Sequence, residues 1–199
     1  KYGEATVSLP GGCAIGTRPI DLHLDAMKAL GAEIELRDGY VFAKVNAQTK
    51  KLQGGTVLFE KTTVGGTENL LMAAVLANGI TTIENAAKEP EIVDLANYLI
   101  KMGAKIVGHG TSVIKITGVE KLTPARHSIM PDRIEAGTLL IAGAITGGDV
   151  TVTKCQPHDL ESLIMKMREA GFKIDTTETT MRVHPKASWK AVDITTAPH

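Results

Sequence analysis

The residues best placed to do chemistry sit near the start of the chain, in Leu9-Pro10-Gly11-Gly12-Cys13-Ala14-Ile15-Gly16-Thr17-Arg18-Pro19. Three glycines and two prolines among ten residues exclude a helix or strand interior and predict a turning, hinged loop. A thiol at its centre is not shielded by regular structure, so Cys13 reads as the reactive cysteine of the chain. Arg18, five residues on, supplies a cation that would favour thiolate or hold a phosphate or carboxylate. By spacing alone it fits a solvated surface position equally well. Asp21-Leu22-His23 opens an amphipathic helix. There Asp21 serves as cap or dipole partner and His23 as a packed or surface residue. A second stretch, Lys61-Thr62-Thr63-Val64-Gly65-Gly66-Thr67, leads into an apolar helix. Its hydroxyls, glycines and helix-start N–H groups suit an anion, although it lacks P-loop spacing and Thr-rich starts are also common caps. Glu89 and Glu91 straddle a proline at another helix start, as does Asp132 after Pro131, and both fit dipole or cap positions. Cys155 follows a strand-like run and reads as a small buried hydrophobe. The histidines show no metal-ligand spacing, and no cofactor is expected.

The elements that must position these groups are repeated. An amphipathic helix, a glycine and two short β runs recur at Leu22–Ile34, Leu95–Ile106 and Leu160–Ile174. Gly31, Gly103 and Gly171 stand where a helix C-terminus favours glycine. Upstream of the later two copies lies a nearly uncharged helix, then a glycine turn and a strand, at Asn69–Ile83 and again about 69 residues on at Thr138–Thr153. These apolar helices are expected to be buried on most sides. The unit is therefore helix, strand, helix, strand, strand: an α/β fold with apolar helices inside and sheets and charged helices outside. Thr123–Pro131, with two prolines, is the expected boundary.

Composition narrows the function. The 199 residues hold 22 basic and 22 acidic side chains and 4% aromatics, which argues against a nucleic-acid binder. No apolar run is long enough to span a bilayer, so no membrane partner is expected. Two distant cysteines suit a reducing compartment. The chain begins without Met or a signal-type run and ends without a cap, so we expect an internal stretch of a longer protein.

Leu9–His23 resembles the catalytic loop of the UDP-N-acetylglucosamine 1-carboxyvinyltransferase family. The resemblance continues through Lys61–Gly65, Glu84-Asn-Ala-Ala-Lys-Glu89-Pro-Glu91-Ile-Val-Asp94, Pro131-Asp132-Arg133-Ile-Glu135 and Thr196-Ala-Pro-His199, over essentially the whole chain. It implies two similar domains, each an inside-out α/β barrel of the enolpyruvyl transferase type, incomplete here. Residues 1–130 would be the later part of the domain bearing the Cys loop, and 131–199 the start of the second. It also implies a cytoplasmic transferase that moves enolpyruvate from phosphoenolpyruvate to the 3-hydroxyl of UDP-N-acetylglucosamine and releases phosphate. That is the first committed step of peptidoglycan synthesis. Carried over residue by residue, Cys13 is the thiol that reacts with phosphoenolpyruvate and that fosfomycin alkylates. Arg18, Pro19, Ile20, Asp21 and Leu22 hold the uridine diphosphate part, and Lys61, Thr62, Thr63 and Val64 form a second nucleotide-contacting stretch. Thr63 stands where many members have Ser. The family's N-terminal Lys-Asn pair, the Asp beyond Thr-Ala-Pro-His and further arginines are absent from these residues. These 199 residues alone are therefore expected to be inactive, with the remainder of the chain as their partner. The sister enzyme acting on shikimate 3-phosphate lacks the cysteine loop. A non-catalytic repeat module would leave that loop without a purpose.

Overall fold

The computed structural model describes residues 3–11, 19–46, 48 and 50–196. The chain forms two compact units, the first ending at Ser128 and the second beginning at Ile129.

The first unit contains β1 (Glu4–Ser8), α1 (Asp21–Ala29), β2 (Ala32–Arg37) and β3 (Tyr40–Val45). It continues with β4 (Thr56–Leu58), α2 (Val64–Ala74), β5 (Ile80–Glu84), α3 (Pro90–Lys101), β6 (Lys105–Val107) and β7 (Val113–Thr117). The second unit contains α4 (Arg133–Ile145), β8 (Val150–Thr153), a 3-10 turn (Pro157–Leu160), α5 (Glu161–Glu169), β9 (Ile174–Thr176) and β10 (Thr180–Val183). The strand orders are β1-β3-β2, β4-β5-β7-β6 and β8-β10-β9. In each sheet the last strand of the copy lies between the two before it and pairs antiparallel with both. β4 adds a parallel edge beside β5. The expected helix-strand-helix-strand-strand unit is thus α2-β5-α3-β6-β7 and again α4-β8-α5-β9-β10. The first copy contributes β1-α1-β2-β3.

The same local chemistry ends each outer helix. Gly31, Gly103 and Gly171 adopt φ of +85°, +102° and +99°, a conformation that costs a residue without Cβ little. Behind them, Ala104 N donates to Leu99 O at 2.9 Å and Phe172 N to Met167 O at 3.0 Å. These bonds satisfy carbonyls that the helix would otherwise leave unpaired. Period-2 alternation then points Ile114 and Ile116 of β7 inward and Val113 and Lys115 outward.

Each unit has its own core. In the first, Leu30, Leu70, Leu71, Ile83, Ile92, Ile114 and Ile116 are fully buried. In the second, Leu140, Cys155, Ile164, Phe172, Met181 and Val183 are buried together. The apolar helices α2 and α4 differ, however. α1 packs against α2, and Leu70 is fully buried. One repeat later, Leu139 of α4 is 50% exposed, with Ile134 and Ile145 exposed beside it. α4 buries only the stripe Ala136, Gly137, Leu140, Gly143 and Ala144, toward β8, β10 and the 3-10 turn. The expectation of burial on most sides holds for α2 and fails for α4. Among the described residues the second unit holds one copy of the repeat, and no helix in it plays the part of α1. No helix among the described residues is long and apolar enough to cross a membrane.

Candidate functional site

The start of α2 is a closely bonded corner. Thr63 caps the helix from an extended conformation (φ −137°, ψ 120°), its Oγ1 accepting from Gly66 N at 3.2 Å. Thr67 Oγ1 donates to Thr63 O at 2.7 Å and accepts from Ala87 N at 3.1 Å. A fully buried hydroxyl is thereby satisfied twice. The two glycines are dictated by close approach. A Cβ on Gly66 would lie 2.4 Å from Thr63 Cγ2, and one on Gly65 would lie 3.1 Å from His23 Cε1. By the geometry of a helix start, the N–H groups of Val64 and Gly65 point out along the axis without intrahelical partners. They give a partly positive mouth beside the exposed Lys61. Upstream, Thr62 Oγ1 donates to Asn85 Oδ1 at 3.0 Å, and Asn85 Nδ2 donates to Phe59 O at 2.8 Å.

The start of α1 lies beside it. Ile20 occupies the cap position with no side-chain cap bond, and Asp21 is the acidic residue of the first turn. Of the two readings left open for Asp21, the helix-dipole partner is the one realised. Pro19 is exposed and Leu22 packs on the core of the first unit. His23 turns toward α2, its Nδ1 2.6 Å from Asn69 Nδ2. The stretches ending in Leu22 and beginning at Lys61 are thus joined through His23, Asn69 and Gly65. Cys13 and Arg18 lie outside the described residues.

Acidic groups gather near α3. Glu89 stands at its cap position without a capping bond, and Glu91 is in its first turn. Burial, and secondarily the charge of Glu91, pushes the Glu68 carboxyl above its ordinary value. Asp132 is a structural cap, accepting from Ile134 N at 2.8 Å and Glu135 N at 3.1 Å. Cys155 is 3% exposed. Burial raises its thiol pKa, so it is a poor nucleophile at neutral pH.

Sequence reasoning passed over two residues. Asn69 is an uncharged amide in α2, set between Glu68 and the apolar run Leu70–Ala74, where a half-buried polar side chain needs a partner. Asn85 follows directly on β5 with φ +57°, the left-handed conformation that Asn tolerates better than most residues. The sequence carried the residue types, but their partners, His23 for Asn69 and Phe59 and Thr62 for Asn85, are set by tertiary packing.

The whole chain, residues 1–199, matches the family model described as EPSP synthase (3-phosphoshikimate 1-carboxyvinyltransferase). The chain belongs to that family. Within it, the chain is 73% identical over 199 residues to the UDP-N-acetylglucosamine 1-carboxyvinyltransferase of Bdellovibrio bacteriovorus, covering 100% of this chain and 47% of that protein. It is 56% identical to the protein of the same name from Koribacter versatilis, over 98% of this chain and 44% of the relative. The chain therefore spans about half the length of the curated relatives it matches. Among solved structures it resembles the enolpyruvyl transferase NikO from Streptomyces tendae (TM-score 0.77, 22% identity, 93% of this chain and 44% of that one). It also resembles an EPSP synthase from Acinetobacter baumannii (TM-score 0.63, 20% identity, 98% and 45%). At these identities the structural likeness shows the fold alone, which is that of the enolpyruvyl transferases.

Proposed function

We propose that this chain carries the nucleotide-sugar side of an enolpyruvyl transferase that acts on UDP-N-acetylglucosamine. Enolpyruvate from phosphoenolpyruvate is transferred to the sugar 3-hydroxyl and phosphate is released. The observation that carries the reading is the pairing of two helix starts. His23 and Asn69 bond α1 to α2 at 2.6 Å, which brings the Pro19–Leu22 stretch beside Lys61–Val64. Two helix N-termini and a lysine are suited to a diphosphate. Relatives 73% and 56% identical to this chain bear the name of this activity.

In this reading Cys13 is the reactive thiol of the Gly-rich loop and the group that fosfomycin alkylates. Arg18 pairs with phosphate, while Pro19, Ile20, Asp21 and Leu22 meet the nucleoside. Lys61, Thr62, Thr63 and Val64 form the second contact. Residues up to about 130 are the later part of the domain bearing the loop, and the rest begins the second domain. The reaction belongs to cytoplasmic peptidoglycan synthesis. Turnover draws on the Lys-Asn pair, the aspartate and the arginines of the whole enzyme, and the share of the site on these residues is at most weak binding of the nucleotide sugar.

Titration calorimetry of the chain with UDP-N-acetylglucosamine tests the reading. Saturable binding that weakens on Lys61→Ala supports it. Absence of binding, or a preference for shikimate 3-phosphate, overturns it.

A further inference from the structure

We propose that Asn85 is the positioning residue for the Lys61–Val64 stretch. Its side-chain amide fixes the turn that presents Lys61 and Thr62, and the inference rests on the nucleotide-sugar reading above. Phe59 N donates to Glu84 O at 3.1 Å, which joins the end of β4 to the end of β5. Asn85 then closes the turn from the other side. Its Nδ2 donates to Phe59 O at 2.8 Å and its Oδ1 accepts from Thr62 Oγ1 at 3.0 Å. Phe59 is 2% exposed, whereas Glu60 and Lys61 between the two bonds are exposed. The amide thus spans a short outward-facing segment and holds both of its flanks.

The internal repeat separates this role from a purely architectural one. Asn85 follows β5 with φ +57°, and Lys154 follows β8 with φ +55°. The next residue behaves alike in both copies: Ala86 N donates to Ser112 O at 3.0 Å and Cys155 N to Thr179 O at 3.2 Å. Each acceptor lies in the turn between the copy's last two strands. The left-handed corner is therefore a property of the repeat, and a lysine suffices to make it. The amide is used only in the copy that has a strand-to-helix turn bearing Lys61. Among the described residues of the second unit, no strand equivalent to β4 precedes α4.

The test compares Asn85→Gly, Asn85→Asp and Lys154→Gly in the 199-residue chain. Glycine keeps the left-handed backbone and removes the clamp. Aspartate keeps the acceptor for Thr62 and loses the donor to Phe59 O. Lys154→Gly makes the same backbone change where there is no clamp. Affinity for UDP-N-acetylglucosamine is read by calorimetry and amide hydrogen exchange at residues 60–64 by mass spectrometry. Both Asn85 variants should bind about tenfold more weakly and exchange faster at 60–64. Lys154→Gly should move neither quantity. Wild-type affinity and exchange in Asn85→Gly would overturn the proposal, as would an equal loss of affinity in Lys154→Gly. If the parent chain binds no nucleotide sugar, the functional reading fails, and exchange at 60–64 still decides whether Asn85 holds the turn.

Discussion

His23 Nδ1 and Asn69 Nδ2 lie 2.6 Å apart across 46 positions of sequence, and this bond ties the first turn of α1 to the second turn of α2. An amide nitrogen only donates, so Nδ1 accepts and the imidazole proton sits on Nε2. The ring also packs where a side chain at Gly65 would otherwise be. His23→Ala should lower stability by about 1–2 kcal/mol, read by urea unfolding. Asn69→Ala should cost less once His23 is already gone, because the two share one interaction. Fully additive losses would show that the bond does not hold the helices together.

Glu68 predicts a pH dependence. Its carboxyl is raised above the ordinary 4.5 by burial and then by Glu91. The folded protein therefore binds the proton more readily than the unfolded chain. Stability falls as the pH rises from 4.5 through the raised value, and the loss persists at neutral pH. Glu68→Gln should accordingly raise the urea midpoint at pH 7 and leave it unchanged below pH 4.5. An equal gain at both pH values would place the effect in packing instead.

Two buried threonines in the first unit should respond in opposite ways. Thr81 is 1% exposed, and its hydroxyl has no partner among the described residues. Thr67 is equally buried and makes two bonds. Thr81→Val should be neutral or stabilising by about 1 kcal/mol, whereas Thr67→Val should destabilise by about 1–2 kcal/mol. Urea midpoints of the two variants give the comparison directly.

Gly118 is constrained by the backbone beside it. A Cβ there would stand 1.7 Å from Ala77 O, while Gly118 N donates to Gly79 O at 2.9 Å. Carbonyl and turn cannot yield without breaking the bond. Gly118→Ala should therefore cost about 2 kcal/mol or more, with thermal unfolding as the measurement.

Much of this architecture could be read from residue order. Glycines at 31, 103 and 171 marked three helix ends, and alternation such as Val113-Ile114-Lys115-Ile116 marked the strands that follow. Local rules suffice there, because a helix end and a strand face are decided by neighbours in sequence. The exposed side of α4 was not legible. Leu139 looks as buried as Leu70 by pattern, and the difference lies in whether another copy packs on it. The paired helix starts were half legible: Lys61–Thr67 read as an anion site, but its approach to His23 depends on tertiary packing. The clamp by Asn85 likewise depends on a turn 26 and 23 residues earlier in the chain.

In the function proposed above, the Cys13 loop and the paired helix starts would serve one nucleotide-sugar site. The most direct test follows alkylation of Cys13 by mass spectrometry against pH, with and without UDP-N-acetylglucosamine, using the buried Cys155 as internal reference. Cys13 should react much faster than Cys155, and the nucleotide sugar should change the rate at Cys13 alone. Equal reactivity of the two thiols, with no effect of the ligand, would show that the Cys13 loop does not share a nucleotide-sugar site with the helix starts.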